Sequence, residues 1–324
     1  MALSIHEVAS RSVAARRRIR KYIYETPIIP ARKVGLAQGS SVLFKAENFQ
    51  LTGSFKIRGA MNKMSVSVSD QRLITASSGN HGVGAAHASG VLSKDLTVVL
   101  PETVLPAKLG KIKSYGVNVI LHGAETGLAE KHAQQLAASG EYAYISPYND
   151  LDIVAGQGTI GIEILEQCES VDNVFISMGG GGLISGIGSV IKAFNPQTTI
   201  YGVSATNSQA LAKSMSSGRV VETHHLPTLA EAVAGGLDED TVTLPLAQSV
   251  VDHVIECEED DILTALKTIA FDENMIVEGS AALALAGYNK HADKLAGQTS
   301  VILLCGANVS EDFLEQVIQG SGRD

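Results

Sequence analysis

The sequence Gly53-Ser54-Phe55-Lys56-Ile57-Arg58-Gly59 is followed far downstream by the run Gly179-Gly180-Gly181-Gly182. The first stretch places a lysine after an aromatic residue, where a turn enters a predicted helix. The second lies between an apolar, β-branched stretch and an apolar helical pattern. Successive glycine N–H groups can converge on one anion, and the N-terminus of a helix has a partial positive charge. The glycine run therefore predicts a phosphate-binding loop.

Lys56 is a candidate Schiff-base lysine. A free lysine is protonated at neutral pH and becomes a good nucleophile only when burial or a nearby cation lowers its pKa. The apolar neighbours Phe55 and Ile57, together with Arg58, favour such a shift. Considered alone, Lys56 is better explained as a surface lysine at a helix start. Together with the phosphate loop, it indicates pyridoxal 5′-phosphate, a cofactor that has both an aldehyde and a phosphate.

Dinucleotide-binding and P-loop motifs fit the glycine-rich segments less well. The dinucleotide pattern G-x-G-x-x-G fits no register here, and the next predicted strand, around Ile200–Ser204, ends without an acidic residue. The pair Gly110-Lys111 is followed by Ile112, which excludes a P-loop at that position. A plain tight turn rarely needs four consecutive glycines.

Two further motifs are candidates for the same site. Ser77-Ser78-Gly79-Asn80-His81-Gly82 follows a predicted strand and opens a helix. Its hydroxyls, amide and free N–H groups could bind a carboxylate, although an N-cap serine with a turn glycine explains it equally well. Cys305 ends another strand and could face a ring nitrogen, although a buried core cysteine is the simpler explanation for that residue alone.

Short apolar stretches alternate with helical patterns along the chain, which predicts α/β architecture with parallel sheets. The predicted strands are Val42–Glu47, Leu73–Ala76, Leu96–Leu100, Asn118–His122, Tyr142–Ile145, Asn173–Ser177, Thr199–Val203 and Ser300–Leu304. We expect two domains, a large one from residues 1–71 and 150–324 and a small one from residues 72–149. A small-molecule site is expected in the cleft between them.

The composition excludes several classes of protein. The net charge of −9 over 324 residues leaves no basic stripe for nucleic acid. The three cysteines Cys168, Cys257 and Cys305 lack the paired spacing of a disulfide framework or a zinc site. No apolar run approaches the roughly 20 residues that a membrane span requires. We therefore expect a cytoplasmic protein that acts on a small molecule.

The four motifs, in this order, resemble the fold-type II pyridoxal-phosphate enzymes, specifically the family of serine/threonine dehydratases and serine racemases. The resemblance covers essentially the whole chain and includes Ala155–Thr159 (sequence AGQGT) and Val277-Glu278-Gly279. It implies a fold like that of the tryptophan synthase β subunit, with two open, twisted α/β domains and the cofactor in the cleft. A symmetric homodimer is the arrangement to expect for such an enzyme.

The resemblance also implies residue roles. Lys56 would form the Schiff base with the cofactor, Phe55 would pack against its ring, and Asn80 would contact the ring hydroxyl. Cys305 would contact the pyridine nitrogen. The implied phosphate ligands are Gly179, Gly180, Gly181, Gly182 and Leu183. The implied ligands of the substrate carboxylate are Ser77, Gly79, Asn80 and His81. A neutral partner such as a thiol leaves the pyridine nitrogen unprotonated, which favours elimination.

The implied activity is that of an ammonia-lyase similar to threonine ammonia-lyase. It would convert threonine, serine or a bulkier analogue such as phenylserine to a 2-oxo acid and ammonia by α,β-elimination. The alternative is an amino-acid racemase in which Lys56 and Ser78 are the bases on the two faces, since Ser78 matches the racemases' second base. A third interpretation is a non-catalytic protein that binds a phosphorylated metabolite, which the intact Lys56 and the complete loop Ser77–His81 argue against.

Three departures from the family pattern refine these expectations. Ser204 and Ala210 stand where serine racemases have carboxylate ligands, so we expect no divalent metal site, while a monovalent cation is compatible with the sequence. No arginine occurs from Leu121 to Gly140, which disfavours a substrate with a second carboxylate such as hydroxyaspartate. The sequence ends at Asp324 without a regulatory domain, which favours a catabolic role.

Overall fold

The computed structural model describes residues 4–67 and 71–319. Within these ranges the strands are β1 Ile28–Pro30, β2 Ser41–Lys45, β3 Arg72–Ala76, β4 Leu96–Leu100, β5 Asn118–Leu121, β6 Tyr142–Tyr144, β7 Asn173–Ser177, β8 Thr199–Ala205, β9 His253–Cys257 and β10 Thr299–Leu303. They form a six-stranded sheet in the order β1-β2-β10-β7-β8-β9 and a four-stranded sheet in the order β5-β4-β3-β6.

Helices surround both sheets. In the described ranges they are α1 Ile5–Ile19, α2 Lys56–Val66, α3 Asn80–Leu92, α4 Pro106–Lys113, α5 Thr126–Ala138, α6 Leu151–Gln167, α7 Gly182–Phe194, α8 Ala210–Ser217, α9 Thr243–Val250, α10 Glu259–Lys267, α11 Gly279–Asn289 and α12 Glu311–Gln319. None of these helices is long and apolar enough to cross a membrane.

All strand pairs are parallel except the antiparallel pair β1–β2. Parallel sheets are covered by helices on both faces, so their strands are continuously apolar. Leu96–Leu100 and Asn173–Ser177 follow this rule, since every residue in both strands is buried. The expected α/β class with parallel sheets is confirmed.

The two strands that the sequence did not predict are the edges of the six-stranded sheet. Ile28–Pro30 is only three residues long and contains a proline, and His253–Cys257 exposes three of its five residues. An edge strand has a neighbour on one side only, and proline and polar residues are common there. These strands therefore lack the apolar run that identified the other eight.

The four-stranded sheet is packed between helices on its two faces. Leu73 of β3 belongs to a core that includes Val83 and Ala85 of α3. The next residue, Ile74, packs in a separate core with Ala129 and Ala133 of α5. Adjacent residues of a strand point to opposite faces, so β3 joins both helical layers.

Helix α2 packs against the smaller sheet although it precedes that sheet in the chain. Its apolar residues Ile57, Met61 and Met64 lie in the same core as Leu73 and Ile153. Helix α2 thus shares one core with the smaller sheet and with α6. The predicted domain limits at residues 71 and 150 stay a prediction.

A buried network of ion pairs anchors α2 through the side chain of Arg58. The guanidinium of Arg58 donates two hydrogen bonds of 2.8 Å to Glu47, which follows β2. It donates two more to Glu163 of α6, at 2.6 and 2.8 Å. Lys45 donates to Glu163 at 2.6 Å, and all four side chains are at most 3% exposed. Burial would raise the pKa of Glu163, but Arg58 and Lys45 lower it.

We predict that Arg58→Met lowers the free energy of unfolding by about 3–5 kcal/mol, because it leaves the buried Glu47 and Glu163 with an uncompensated charge. Arg11→Met is the matched control, since Arg11 pairs with Glu7 on the exposed face of α1. The control should cost less than about 1 kcal/mol. Urea unfolding of the two cofactor-free variants measures the difference. Equal losses would show that the network does not stabilise the fold.

Candidate active site

Lys56 begins α2, at the junction between the two sheets. Its Nζ donates to the carbonyl oxygen of Pro147 at 2.8 Å and lies 5.2 Å from the centre of the Phe55 ring. Burial lowers the pKa of Lys56 to about 8, although Cys305 and Glu278 oppose this shift. A substantial fraction of the amine is therefore neutral near physiological pH, as a nucleophile or base requires.

The turn before Lys56 is joined by backbone bonds to the segment after β10. Ser54 and Gly306 form an antiparallel bridge, and the N–H of Phe55 donates to the carbonyl oxygen of Cys305 at 3.1 Å. The structure thus brings Cys305 next to Lys56. Burial raises the pKa of the Cys305 thiol well above its usual value, so this side chain is neutral.

The glycine run connects β7 to α7. Gly181 has φ of +87° and caps α7 without any side-chain hydrogen bond. The N–H groups of the first turn of a helix have no partner within the helix, so those after Gly181 are available to an anion. Leu183 lies in this first turn and is 8% exposed.

The glycine run also lies directly against the segment that contacts Lys56. A Cβ atom on Gly180 would lie 2.5 Å from Cγ of Tyr148, the residue after Pro147. The anion-binding N-terminus of α7 and the Lys56 amine are therefore linked through two consecutive residues. This arrangement suits a cofactor with a phosphate at one end and an amine-reactive group at the other.

The serine-rich loop lies between β3 and α3. Ser77 Oγ accepts the N–H of Gly79 at 3.2 Å, and Ser78 is half-buried. Gly79 caps α3 without a side-chain hydrogen bond, so the N–H groups in the first turn of α3 have no partner within the helix. The predicted carboxylate-binding loop thus has the free N–H groups that such a site needs.

The ring of His81 points back into the smaller sheet. Its Nε2 lies 3.0 Å from Oγ1 of Thr75 and 3.2 Å from the carbonyl oxygen of Ile145. Burial, reinforced by Lys56, lowers the pKa of His81 to about 3. The imidazole is neutral at physiological pH and cannot provide positive charge for a carboxylate.

The side chain of Asn80 is held by residues to which the sequence assigned no role. Its Nδ2 donates to both carboxylate oxygens of Glu278, at 2.8 and 3.0 Å. Its Oδ1 accepts from Nδ2 of Asn308 at 2.6 Å. Asn80 and Glu278 are 8% and 7% exposed. In the sequence, Glu278 is an acidic residue directly before an apolar helix. An ordinary helix start has the same local pattern, so the sequence did not predict the contact with Asn80.

A second group without a sequence signal lies beyond Pro147. Tyr144 Oη donates to Glu130 Oε1 at 3.1 Å, and the N–H of Asp238 donates to Tyr148 Oη at 2.8 Å. Glu130 and Lys56 influence each other's pKa, so their charges lie near each other. These residues come from three separate parts of the chain, and no sequence motif connects them.

A family model described as pyridoxal-phosphate dependent enzyme matches residues 19–306. This chain belongs to that family. The enzyme is 35% identical over 314 residues to a protein named L-threonine dehydratase catabolic TdcB of Staphylococcus aureus, covering 94% of this chain and 90% of the relative. It is 32% identical over 310 residues to L-threo-3-hydroxyaspartate ammonia-lyase of Saccharomyces cerevisiae, covering 94% of each.

The fold of the enzyme is also that of solved relatives. Maize serine racemase superposes with a TM-score of 0.89 at 28% identity, covering 99% of this chain and 98% of the other. The predicted membership in the fold-type II, serine/threonine dehydratase-like enzymes is confirmed, as is the fold class.

Pyridoxal phosphate fits the residues present. The uncapped first turn of α7 provides N–H donors for the phosphate, and Lys56 provides an amine of lowered pKa for the aldehyde. The thiol of Cys305, whose backbone is bonded to the turn before Lys56, is neutral and would suit an unprotonated ring nitrogen. All the contacts assigned to individual site residues stay predictions.

We predict that cofactor capture by the cofactor-free enzyme accelerates as pH rises through about 8, the pKa of Lys56. Above this value the amine is neutral and reacts, and below it the amine is protonated and does not. The measurement is the rate at which the yellow absorbance appears after mixing, at a series of pH values.

Lys56→Ala should show no yellow absorbance from lysine-bound cofactor at any pH. Lys113→Ala, on the exposed face of α4, should behave as the parent enzyme does. A yellow Lys56→Ala protein would refute the assignment of the lysine.

We predict that Gly180→Ala weakens cofactor binding about tenfold or more, because the added methyl group displaces the Tyr148 ring from beside the phosphate loop. Gly110→Ala is the control, since nothing lies within 4 Å of a Cβ atom at that position. Titration of each cofactor-free variant with pyridoxal phosphate gives the two dissociation constants. An unchanged constant for Gly180→Ala would contradict the close packing of this loop.

Proposed function

We propose that the enzyme is an ammonia-lyase that converts a β-hydroxy amino acid to a 2-oxo acid and ammonia. The observation on which this depends is the Lys56 amine, which has a pKa of about 8 and donates to the Pro147 carbonyl next to the residue that packs on the glycine loop. The names of the two curated relatives support the same reaction class, and the bacterial relative supports a catabolic role.

The substrate carboxylate binds at the N-terminus of α3. The N–H groups after Gly79 and the hydroxyl of Ser77 are the donors in this loop. Since His81 is neutral, attraction for the carboxylate comes from these N–H groups and from the helix dipole. This contact fixes the α-carbon relative to Lys56.

Lys56 then acts as the general base. A neutral amine with a pKa near 8 is well matched to removing an α-proton near neutral pH. Pyridoxal phosphate, when bound, supplies an electron-accepting ring that acidifies that proton. Cys305 stays a thiol because its pKa is raised, so it neither charges the ring nitrogen nor competes as a nucleophile.

The reaction balances without an oxidant or a reductant. The Cα–H and Cβ–O bonds break, and the hydroxyl group leaves as water after gaining a proton. The resulting enamine gains a proton at Cβ and becomes an imine, and addition of one water molecule to this imine releases ammonia and leaves the 2-oxo acid. The Tyr148 ring packs on the glycine loop, next in the chain to the Pro147 carbonyl that accepts the hydrogen bond of Lys56.

The second candidate function is racemisation. Ser78 is half-buried at the start of α3, and its hydroxyl is the one group of the loop that matches a second base. The similarity to maize serine racemase supports this alternative. Racemisation and elimination share the first proton transfer to Lys56, and they differ in whether a second group returns a proton to the opposite face.

We predict that wild-type enzyme supplied with cofactor releases 2-oxo acid from L-threonine, L-serine or phenylserine, and that Lys56→Ala releases none. Ser78→Ala should retain elimination of the L-substrate within about threefold and lose racemisation by about a hundredfold or more, the usual contribution of one acid–base group. A coupled 2-oxo acid assay and chiral chromatography measure the two reactions on L- and D-forms of each substrate.

Inversion of the amino acid at its α-carbon, without release of 2-oxo acid, would show that the enzyme is a racemase and not a lyase. Survival of both reactions in Ser78→Ala would exclude Ser78 as the second base.

The metal, oligomer and location assignments stay predictions. Among the described residues, no group of three or more His, Cys, Asp or Glu side chains is placed to hold a metal ion. Ser204 donates a hydrogen bond to the carbonyl oxygen of Ser208 at 3.4 Å, and Ala210 begins α8. A monovalent cation bound by such oxygens, a homodimer and a cytoplasmic location are proposed on the sequence argument alone.

A further inference from the structure

Asn308 is hydrogen-bonded to four separate segments of the chain. It lies between β10 and α12 and is half-buried. Its Nδ2 donates to the carbonyl oxygen of Thr52 at 2.9 Å and to Oδ1 of Asn80 at 2.6 Å. Its Oδ1 accepts from Nζ of Lys111 at 2.8 Å, and its backbone N–H donates to Glu278 at 3.2 Å. The reaction described above gives no role to Asn308.

The partners of Asn308 determine which way its amide group faces. The carbonyl oxygen of Thr52 can only accept a hydrogen bond, and the ammonium group of Lys111 can only donate one. If the amide were turned over, its oxygen would face the Thr52 carbonyl and its NH2 group would face the ammonium. Both contacts would be repulsive. The NH2 group of Asn308 therefore lies on the side of Thr52 and Asn80.

The same constraint passes from Asn308 to Asn80. Oδ1 of Asn80 accepts from Asn308, while Nδ2 of Asn80 donates to both carboxylate oxygens of Glu278. Turning the Asn80 amide over would place its NH2 group against that of Asn308, whatever the charge of Glu278. Asn80 is only 8% exposed, so little water is available to relieve this mismatch. Asn308 thus fixes the orientation of the Asn80 amide.

One N–H of the Asn80 amide has no partner in the described part of the chain. The two N–H bonds of an amide diverge, whereas the two oxygens of a carboxylate lie side by side. One N–H of Asn80 therefore serves both oxygens of Glu278. In the orientation that Asn308 fixes, Asn80 has its oxygen engaged and keeps a hydrogen-bond donor for a ligand.

Backbone packing places this amide beside the reactive lysine. Asn80 and Gly84 lie one turn apart on the same face of α3. A Cβ atom on Gly84 would lie 3.1 Å from the carbonyl carbon of Lys56, so this face of α3 touches the start of α2. A Cβ atom on Gly53 would lie 2.9 Å from Oδ1 of Asn308. Asn80 and Asn308 therefore both adjoin the segment that contains Lys56.

We propose that Asn308 is a positioning residue that holds the Asn80 amide as a hydrogen-bond donor to the ring oxygen of the cofactor. The ring hydroxyl of pyridoxal phosphate is ionisable. A donor stabilises the negative charge of the ionised oxygen, whereas the oxygen of a turned amide would repel it. The proposal rests on the cofactor and the lysine of the proposed function, and it does not depend on the elimination step.

The yellow absorbance of lysine-bound cofactor reports this contact. The yellow form keeps a proton that the lysine nitrogen shares with the ring oxygen, and the colour is lost when that proton leaves as pH rises. A donor at the ring oxygen stabilises its negative charge most strongly after the proton has left. The donor therefore lowers the pH at which the yellow absorbance is lost.

The midpoint of this transition is measured by titrating holoenzyme with base while its absorbance is followed. We expect Asn80→Ala to raise the midpoint by about one pH unit, which is equivalent to one hydrogen bond. Asn308→Ala should raise it by at least about half a unit and by no more than Asn80→Ala, because the Asn80 amide is then free to turn. Adding Asn308→Ala to Asn80→Ala should change the midpoint by less than about 0.3 unit, because Asn308 acts through Asn80.

Asn173→Ala is the matched control. Asn173 is 2% exposed, and its Nδ2 donates to Gln298 and Ser300. It begins β7, whereas the glycine loop follows the other end of that strand. The control loses buried amide hydrogen bonds as Asn308→Ala does, so it should lower stability and keep the parent midpoint. If Asn308→Ala does not fold, Asn308→Leu, which keeps the shape of the side chain without its hydrogen bonds, should give the same shift.

Cofactor affinity gives an independent measurement. Each cofactor-free protein is titrated with pyridoxal phosphate, and the dissociation constant is obtained from the absorbance. Asn308→Ala should weaken binding about threefold to tenfold in the parent background, the usual contribution of one hydrogen bond. In the Asn80→Ala background the same substitution should have little effect on the dissociation constant.

The outcomes separate this proposal from the lyase itself. An unchanged midpoint in Asn308→Ala, or a shift to lower pH, would overturn the role of Asn308. A shift that is equally large in the Asn80→Ala background would also overturn it, because Asn308 would then act without Asn80. The expected shifts in an enzyme that releases no 2-oxo acid would support the role of Asn308 and overturn only the lyase.

Discussion

The buried guanidinium of Arg58 is the constraint on which the site depends. Arg58 lies two residues after Lys56 and donates two hydrogen bonds to the carboxylate of Glu47 and two to that of Glu163. Glu47 follows a strand of the larger sheet, and Glu163 lies on α6. Because a guanidinium is planar and rigid, two bidentate pairs fix both the rotation and the depth of α2. The position of Lys56 at the start of that helix follows from them.

The other functional segments meet Lys56 because they lie at the carboxyl ends of parallel strands. The serine loop follows β3, the glycine loop follows β7, and Cys305 lies just after β10. In open α/β sheets the loops after the strands gather at one edge, where ligands bind. The turn before α2 is bonded to the segment after β10 of one sheet, and the apolar residues of α2 pack with the other sheet. Amine, anion-binding helix ends and thiol therefore come together from segments that are far apart in the chain.

Burial decides the charge of each group in the cleft. It makes Lys56 a weaker base, keeps His81 neutral and keeps Cys305 protonated, because it lowers the pKa of the first two and raises that of the thiol. The carboxylates follow the same rule, since burial raises the pKa of Glu278 and of Glu130 despite their hydrogen bonds from Asn80 and Tyr144. Burial therefore shifts each of these five groups towards its neutral form.

The sequence by itself determined the features that depend on local backbone chemistry. Four glycines before an apolar helix predict an anion-binding turn, and eight short, largely apolar stretches predict the strands of parallel sheets. These patterns identified the α/β class, and together with the motif order they identified the family. The two edge strands of the six-stranded sheet were not predicted, because one contains a proline and the other is mostly exposed. The tertiary structure alone decided the pairings of Asn80 with Glu278 and of Tyr144 with Glu130. Such contacts depend on how separate elements pack, and a glutamate in a helix has the same local pattern whether it faces solvent or a reactive lysine.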